Sequence, residues 1–243
     1  MKALSLVIPT WNEEGNIEEL VSRIHKSLHA NSISYQIVFV DDRSTDKTQN
    51  IIKRLSRVYP IKLHLKSGLQ GKAHSLLEGF TFAKYDVICM IDADLQYPPE
   101  AIIPMMNKIE KGADIIVANR SVAHTSLIRQ IVSRSFMYIF AKLIHGFDFD
   151  VQSGLKVFRK ESLTGLDLNP SPWAFDMEFL KKSIDRGSRV DTVNIKFEKR
   201  LHGQAKINLL KASWEIGIHA LKLKFTSNKI INHVSMLSFR KSA

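Results

Sequence analysis

The feature that most constrains how this chain folds is the rhythm of its first 119 residues, where short apolar runs alternate with longer amphipathic segments. Residues 4–9, 36–40, 61–65, 87–91 and 115–117 are apolar runs of strand length. Between them, segments at about 16–29, 45–57, 73–83 and 99–111 carry helical spacing. In the first of these, Ile17, Leu20, Val21, Ile24 and Leu28 fall on one helix face. Thr45 or Ser44 is placed to cap the second helix, and Pro98-Pro99 opens the fourth, as proline does in a first turn. Strands linked by crossover helices pair in parallel and carry helices on both faces. The expected fold is therefore α/β, with a mostly parallel central sheet. Ligands of such sheets sit beyond the carboxyl ends of the strands.

After Arg120 the strict alternation stops. A long amphipathic segment at about 126–144 precedes a strand at 154–158, a helix near 175–186 and a strand at 190–197. The tail at 206–225 reads as an amphipathic helix, with Leu209, Leu210, Trp214, Ile218, Leu221 and Phe225 on one face. No internal repeat, low-complexity tract or linker interrupts the chain, so one domain over 1–206 with an appendage at 207–243 is the simplest division. A composition of 44% hydrophobic and 24% charged residues supplies a sizeable core and excludes disorder and coiled coil. Cys89 is the single cysteine, which excludes an internal disulfide framework and a cysteine-built zinc site. No apolar run reaches the length of a spanning helix, and residues 1–14 lack the apolar core of a signal peptide, so a cytoplasmic location is expected.

Charge is distributed unevenly. Residues 1–119 hold 14 basic and 14 acidic side chains, so the whole net charge of +11 falls in the second half. That asymmetry suits a polyanionic partner (nucleic acid, an anionic membrane surface or a phosphorylated ligand) as well as a merely solvated basic surface.

The carboxyl ends of the early strands carry residues that a core would not choose. The first runs into Pro9-Thr10-Trp11-Asn12-Glu13-Glu14, the second into Asp41-Asp42-Arg43-Ser44-Thr45-Asp46, and the fourth into Asp92-Ala93-Asp94-Leu95-Gln96-Tyr97-Pro98-Pro99. Carboxylates gathered at one sheet edge repel one another unless a cation or ligand donors offset them. Asp92 and Asp94, with Gln96, offer three hard oxygen donors suited to Mg²⁺ or Mn²⁺ rather than zinc. An Asp-x-Asp pair also serves as a helix cap or surface loop; its place directly after an apolar run strengthens the metal reading. Asp41-Asp42 could meet a nucleoside or cap a helix. Residues 68–71 with Lys72 resemble a phosphate cradle without P-loop spacing, and no Gly-x-Gly-x-x-Gly occurs, so ATPase and dinucleotide readings lose their support.

With those stretches in view, the chain resembles a family 2 glycosyltransferase of the dolichol-phosphate mannose synthase type. The likeness is carried by Pro9-Thr10-Trp11-Asn12-Glu13, residues 41–48, Gly71-Lys72-Ala73, residues 92–100, Arg120, and residues 129–134, 150–154, 175–178 and 200–206, in collinear order. The resemblance implies a Rossmann-like GT-A fold whose residues 1–119 bind a nucleotide-sugar and whose residues 120–206 bind the acceptor. It implies transfer of a sugar, with inversion, to the phosphate of a polyprenol. It assigns Pro9, Thr10, Trp11, Asn12, Glu13, Val40, Asp42, Lys72 and Asp92 to the donor, and Asp92, Asp94 and Gln96 to the cation. Asp92, Asp94 and Arg120 would be catalytic, while Arg129, Ser133, Arg200 and Lys206 would serve the acceptor. A peripheral position on a membrane surface, and no nucleic-acid partner, are part of the same expectation.

The division makes chemical sense by itself. A diphosphate leaving group gains charge as the sugar bond breaks, and a metal with arginines stabilises it. A phosphate nucleophile is already ionised at neutral pH and needs no general base. A glycan hydroxyl acceptor would need one, with Asp150 or Asp176 as candidates; a non-catalytic lipid- or nucleic-acid-binding module would leave the acidic clusters without a role. The chain departs from the family's pattern where Arg43 replaces a usual glycine, Leu155 a phenylalanine, Asp176 a glutamine and Ala205 a serine.

Overall fold

The computed structural model describes residues 2–121, 146–171 and 174–200. The segments expected at 126–144 and 206–225, and with them Arg129, Ser133 and Lys206, lie outside the described residues.

Seven strands form one sheet in the order β3-β2-β1-β4-β6-β5-β7. They are β1 (Ala3–Thr10), β2 (Ser34–Asp41), β3 (Ile61–Leu65), β4 (Val87–Met90), β5 (Ile115–Ser121), β6 (Lys156–Arg159) and β7 (Val190–Lys196). The helices are α1 (Ile17–Ala30), α2 (Thr48–Leu55), α3 (Lys72–Thr81), α4 (Ile102–Glu110) and α5 (Phe175–Asp185). Strand β6 runs antiparallel to both β4 and β5, while the other pairings are parallel. All strands but β6 therefore end on one edge, and the loop that leads into β6 starts there too.

Helices cover both faces, as crossover connections require. On one face Leu20, Ile24 and Leu28 of α1, Ile52 of α2 and Met105 and Ile109 of α4 pack with Leu6, Ile8 and Phe39 of the sheet. On the other, Ala73, Leu76 and Phe80 of α3 and Phe179 and Leu180 of α5 meet Val7, Val40, Ile88 and Phe158. Alternate residues of each central strand feed opposite cores, which is why the runs are apolar throughout rather than alternating.

Helix α2 starts at Thr48, three residues after the expected boundary. The residues read as possible caps are used elsewhere. Ser44 donates both its N–H and its hydroxyl to the Asp41 carboxylate, and the Thr45 N–H goes to Asn12 Oδ1 at 2.8 Å. Tying the second loop to the first and to its own strand delays the helix by nearly a turn. Pro99 opens a short 3₁₀ turn, Pro99–Ala101, that leads directly into α4.

Candidate active site

The loops after β1 and β2 are laced into one unit. Ser44 Oγ accepts the Asn12 N–H at 2.9 Å, Thr48 Oγ1 accepts the Glu13 N–H at 2.8 Å, and Glu14 Oε2 accepts the Lys47 N–H at 2.9 Å. Asn12 thus spends its side chain on the scaffold. Pro9 faces Val40 in register at the ends of the two strands, and Thr10 is buried beside them with its hydroxyl on the Val40 carbonyl at 3.4 Å. Trp11 stands at the rim, 47% exposed. Three residues hold left-handed backbone at this edge: Asn12 (φ 55°) after β1, Arg43 (φ 66°) after β2 and Leu95 (φ 61°) after β4. Non-glycine residues at such angles concentrate at functional sites.

The two adjacent aspartates of the second loop do different work. Asp41 is buried and anchors its own turn, accepting from Ser44 and from Gln49 Nε2 at 2.7 Å. Asp42 Oδ2 accepts the Gly71 N–H at 2.7 Å and lies 3.3 Å from the ammonium of Lys66, while Oδ1 is buried with no hydrogen-bond partner among the described residues. An orphaned buried carboxylate oxygen calls for a ligand or water donor.

The third loop carries Asp92 and Asp94. Lys72, the first residue of α3, places its ammonium 2.5 Å from Asp92 Oδ1. Asp94 Oδ1 accepts the Gln96 N–H at 3.1 Å, and Asp94 Oδ2 pairs with Arg200, which follows β7. Removal from water pushes Asp92 above the usual carboxylate range; Lys72 opposes this and the like charge of Asp94 adds to it. The same desolvation works against the Lys72 charge, yet Asp92 and Asp176 outweigh it and hold the ammonium more firmly protonated than usual. Glu13 is also raised by burial, against the hydrogen bond from Asn16 and the charge of Arg200.

Beyond Asp92 stands a second layer. Arg120 near the end of β5 grips the Asp150 carboxylate with Nε and Nη2, the latter at 2.9 Å. The Asn119 side chain accepts the Asp150 N–H at 2.8 Å. Tyr97 accepts the Gly154 N–H at 2.7 Å and packs edge-on to Phe197. At the start of β6 the fully buried Lys156 donates to Asp176 Oδ1 at 2.6 Å and to the Ser153 carbonyl at 2.5 Å. Sequence reasoning missed Lys156, Lys66 and Tyr97. A lone lysine inside an apolar strand was the visible signal for the first, and the tyrosine lay within the Asp92–Glu100 string.

The donor chemistry of this edge fits a hard divalent cation. Asp92 and Asp94 present adjacent carboxylates whose charges are met by Lys72 and Arg200. Among the described residues no group of three or more His, Cys, Asp or Glu side chains surrounds one point. Gln96 stands at the same turn, where its amide donates to the Glu198 carbonyl at 3.4 Å. Asp92 and Asp94 would hold the cation, which supplies charge neutralisation for a leaving diphosphate.

An α/β domain with a mostly parallel sheet whose carboxyl edge gathers acidic side chains and the cations paired with them is the class that fold and geometry define. Residues 5–164 match Glycosyl transferase family 2, and the chain belongs to that family. It is 35% identical over 212 residues to the dolichol-phosphate mannosyltransferase of Pyrococcus furiosus, covering 84% of this chain and 59% of that protein. It is 27% identical over 213 residues to the undecaprenyl-phosphate 4-deoxy-4-formamido-L-arabinose transferase of Edwardsiella ictaluri, covering 86% of this chain and 64% of the relative. The chain thus spans about three-fifths of the length of these curated relatives. Its fold is that of glucosyl-3-phosphoglycerate synthase from Mycobacterium tuberculosis, crystallised with Mn²⁺, UDP-glucose and phosphoglyceric acid. The TM-score is 0.72 at 19% identity, over 92% of this chain and 79% of that one. The GT-A architecture expected from sequence is therefore the one observed. No helix among the described residues is long and apolar enough to cross a membrane.

Proposed function

We propose that this domain is an inverting glycosyltransferase that moves a hexose from a nucleotide-sugar, of the GDP-mannose or UDP-glucose type, to a polyprenyl phosphate at the cytoplasmic face of a membrane. The observation that carries the reading is that the two carboxylates named from sequence as candidate bases are ion-paired, Asp150 with Arg120 and Asp176 with Lys156. Arg120 takes both oxygens of Asp150 and Lys156 takes Asp176 Oδ1, so a glycan hydroxyl would compete with these partners for the same atoms. A phosphate acceptor loses no proton: its oxygen attacks the anomeric carbon from the face opposite the diphosphate, the glycosidic C–O bond breaks, and the nucleoside diphosphate leaves. The names of the two curated relatives, both polyprenyl-phosphate sugar transferases, support the same acceptor class.

In this reading the edge of β1 and β2, with Asp42, receives the nucleoside. Asp92 and Asp94 with Mg²⁺ or Mn²⁺ hold the diphosphate, and Lys72 adds a second positive charge beside it. Arg120 and Arg200 serve the acceptor phosphate, and the family resemblance adds Arg129, Ser133 and Lys206 to that role. Purified protein incubated with Mn²⁺, a sugar nucleotide and polyprenyl phosphate in detergent should release nucleoside diphosphate and form a sugar-charged lipid. Release that depends on a soluble glycan and not on the lipid phosphate would overturn the acceptor, and no release from any sugar nucleotide would overturn the activity.

A further inference from the structure

Arg43 combines two features. Its backbone is left-handed at φ 66°, a conformation that costs any residue with a Cβ. Its guanidinium reaches across to the loop between β3 and α3, where Nη2 donates to the Ser67 carbonyl at 2.8 Å and the Gly68 carbonyl at 2.7 Å. That loop is the one that closes on Asp42. Its first residue, Lys66, spreads its ammonium over the Gly71 carbonyl and Ser75 Oγ, both at 3.1 Å, and Asp42 Oδ2 at 3.3 Å. Its last residue, Gly71, gives its N–H to the same oxygen, and the next residue is Lys72, paired with Asp92. A single short loop thereby joins the nucleoside end of the site to the diphosphate end. Arg43 and Asp42 are sequence neighbours, so the clamp and the carboxylate it serves share one turn.

We infer that Arg43 is a positioning residue for the nucleotide: it pins residues 66–71 so that Lys66 and Gly71 hold Asp42 Oδ2 and fix the orientation of the Asp42 carboxylate toward the donor. This rests on the proposed function, since it presumes that the carboxyl edge takes a nucleoside diphosphate. Glycine at position 43 suits the backbone angle and loses only the clamp, which separates positioning from fold stability. Lysine retains a single donor group able to hold one carbonyl.

The experiment measures binding of UDP and of GDP, each with Mn²⁺, by calorimetry on the wild type and on Arg43→Gly and Arg43→Lys, together with amide hydrogen exchange over residues 66–71. Arg43→Gly should melt cooperatively, exchange faster across the loop, and bind the nucleotide that the wild type binds about 5- to 10-fold more weakly, the scale of one or two lost hydrogen bonds. Arg43→Lys should fall between. In turnover the loss should appear in KM for the donor more than in kcat. Unchanged loop exchange and unchanged nucleotide affinity in Arg43→Gly would overturn the inference alone. Wild-type protein that binds neither UDP nor GDP would overturn the functional reading and this inference with it.

Discussion

A methyl group at Gly154 would stand 2.1 Å from Asp92 Oδ2 and 2.9 Å from Tyr97 Cε2, closer than any real contact allows. Glycine there lets the loop before β6 lie directly against the Asp92 carboxylate. Gly154→Ala must displace Asp92, and a shift of about 1 Å in a reacting constellation costs on the order of 10²-fold in rate. Steady-state kinetics should show that loss in kcat/KM, with a folded, cooperative melt; wild-type kinetics would separate Gly154 from the site. The requirement was only half legible. Gly154 fell within a stretch that resembled the family, but nothing in linear spacing says that residue 154 abuts residue 92. Asp92, Asp94 and Lys72 were legible because strand-end chemistry is local. The pairing of Arg120 with Asp150, and of Lys156 with Asp176, was not, because each joins segments 20 or more residues apart.

At the scale of elements, α3 is seated through a glycine. A Cβ on Gly79 would come within 2.3 Å of Val7 Cγ1 and 3.0 Å of Val40 Cγ2, so the helix rides closely over β1 and β2. Gly79→Ala should lower stability by about 1–3 kcal/mol, the usual range for overpacking a filled core, measured by urea denaturation. Because α3 also carries Lys72, donor binding should weaken in the same variant. A second element-scale link is Arg23 of α1, which donates to both oxygens of Glu100 at 3.0 and 2.7 Å and meets Glu198 at 3.3 Å, two residues before Arg200. The Arg23 hydrogen bonds hold the Glu100 carboxyl below its ordinary 4.5. A carboxyl depressed in the fold contributes stability above its unfolded value and loses it as pH falls through the folded one. Wild type should therefore lose more stability than Arg23→Ala between about pH 4.5 and the lower folded value, by under about 1 kcal/mol because Glu100 is half exposed to solvent. Parallel acid titrations of the two proteins would show it, and superimposable curves would refute it. Alternating apolar runs announced these helices and strands, yet the start of α2 slipped because Ser44 and Thr45 bond to neighbouring loops, which periodicity cannot register.

For the molecule as a whole, charge and topology act together. Glu13, Glu14, Asp41, Asp42, Asp46, Asp92 and Asp94 of the first half gather at the carboxyl edge, and the cations paired with them there come from both halves: Lys66 and Lys72 from one, Arg200 from the other. Chelation with EDTA should abolish sugar transfer, and added Mn²⁺ or Mg²⁺ should restore it. Asp94→Ala should not be restored at the same metal concentration. Transfer that survives exhaustive chelation would remove the cation from the chemistry. The parallel character of the sheet was readable from the strand–helix alternation. Strand β6 was not readable as the reversed one, since its short apolar run carries no mark of direction.

That reversal has a temporal side. Both sheet neighbours of β5 come later in the sequence than β5 itself, so during synthesis the strand bearing Arg120 waits without a partner until residue 159 has cleared the ribosome. The four strands β3-β2-β1-β4 are complete by residue 90 and can assemble first. A nascent chain stalled between those two points would already hold its interlaced β1 and β2 loops while still exposing the edges of β4 and β5.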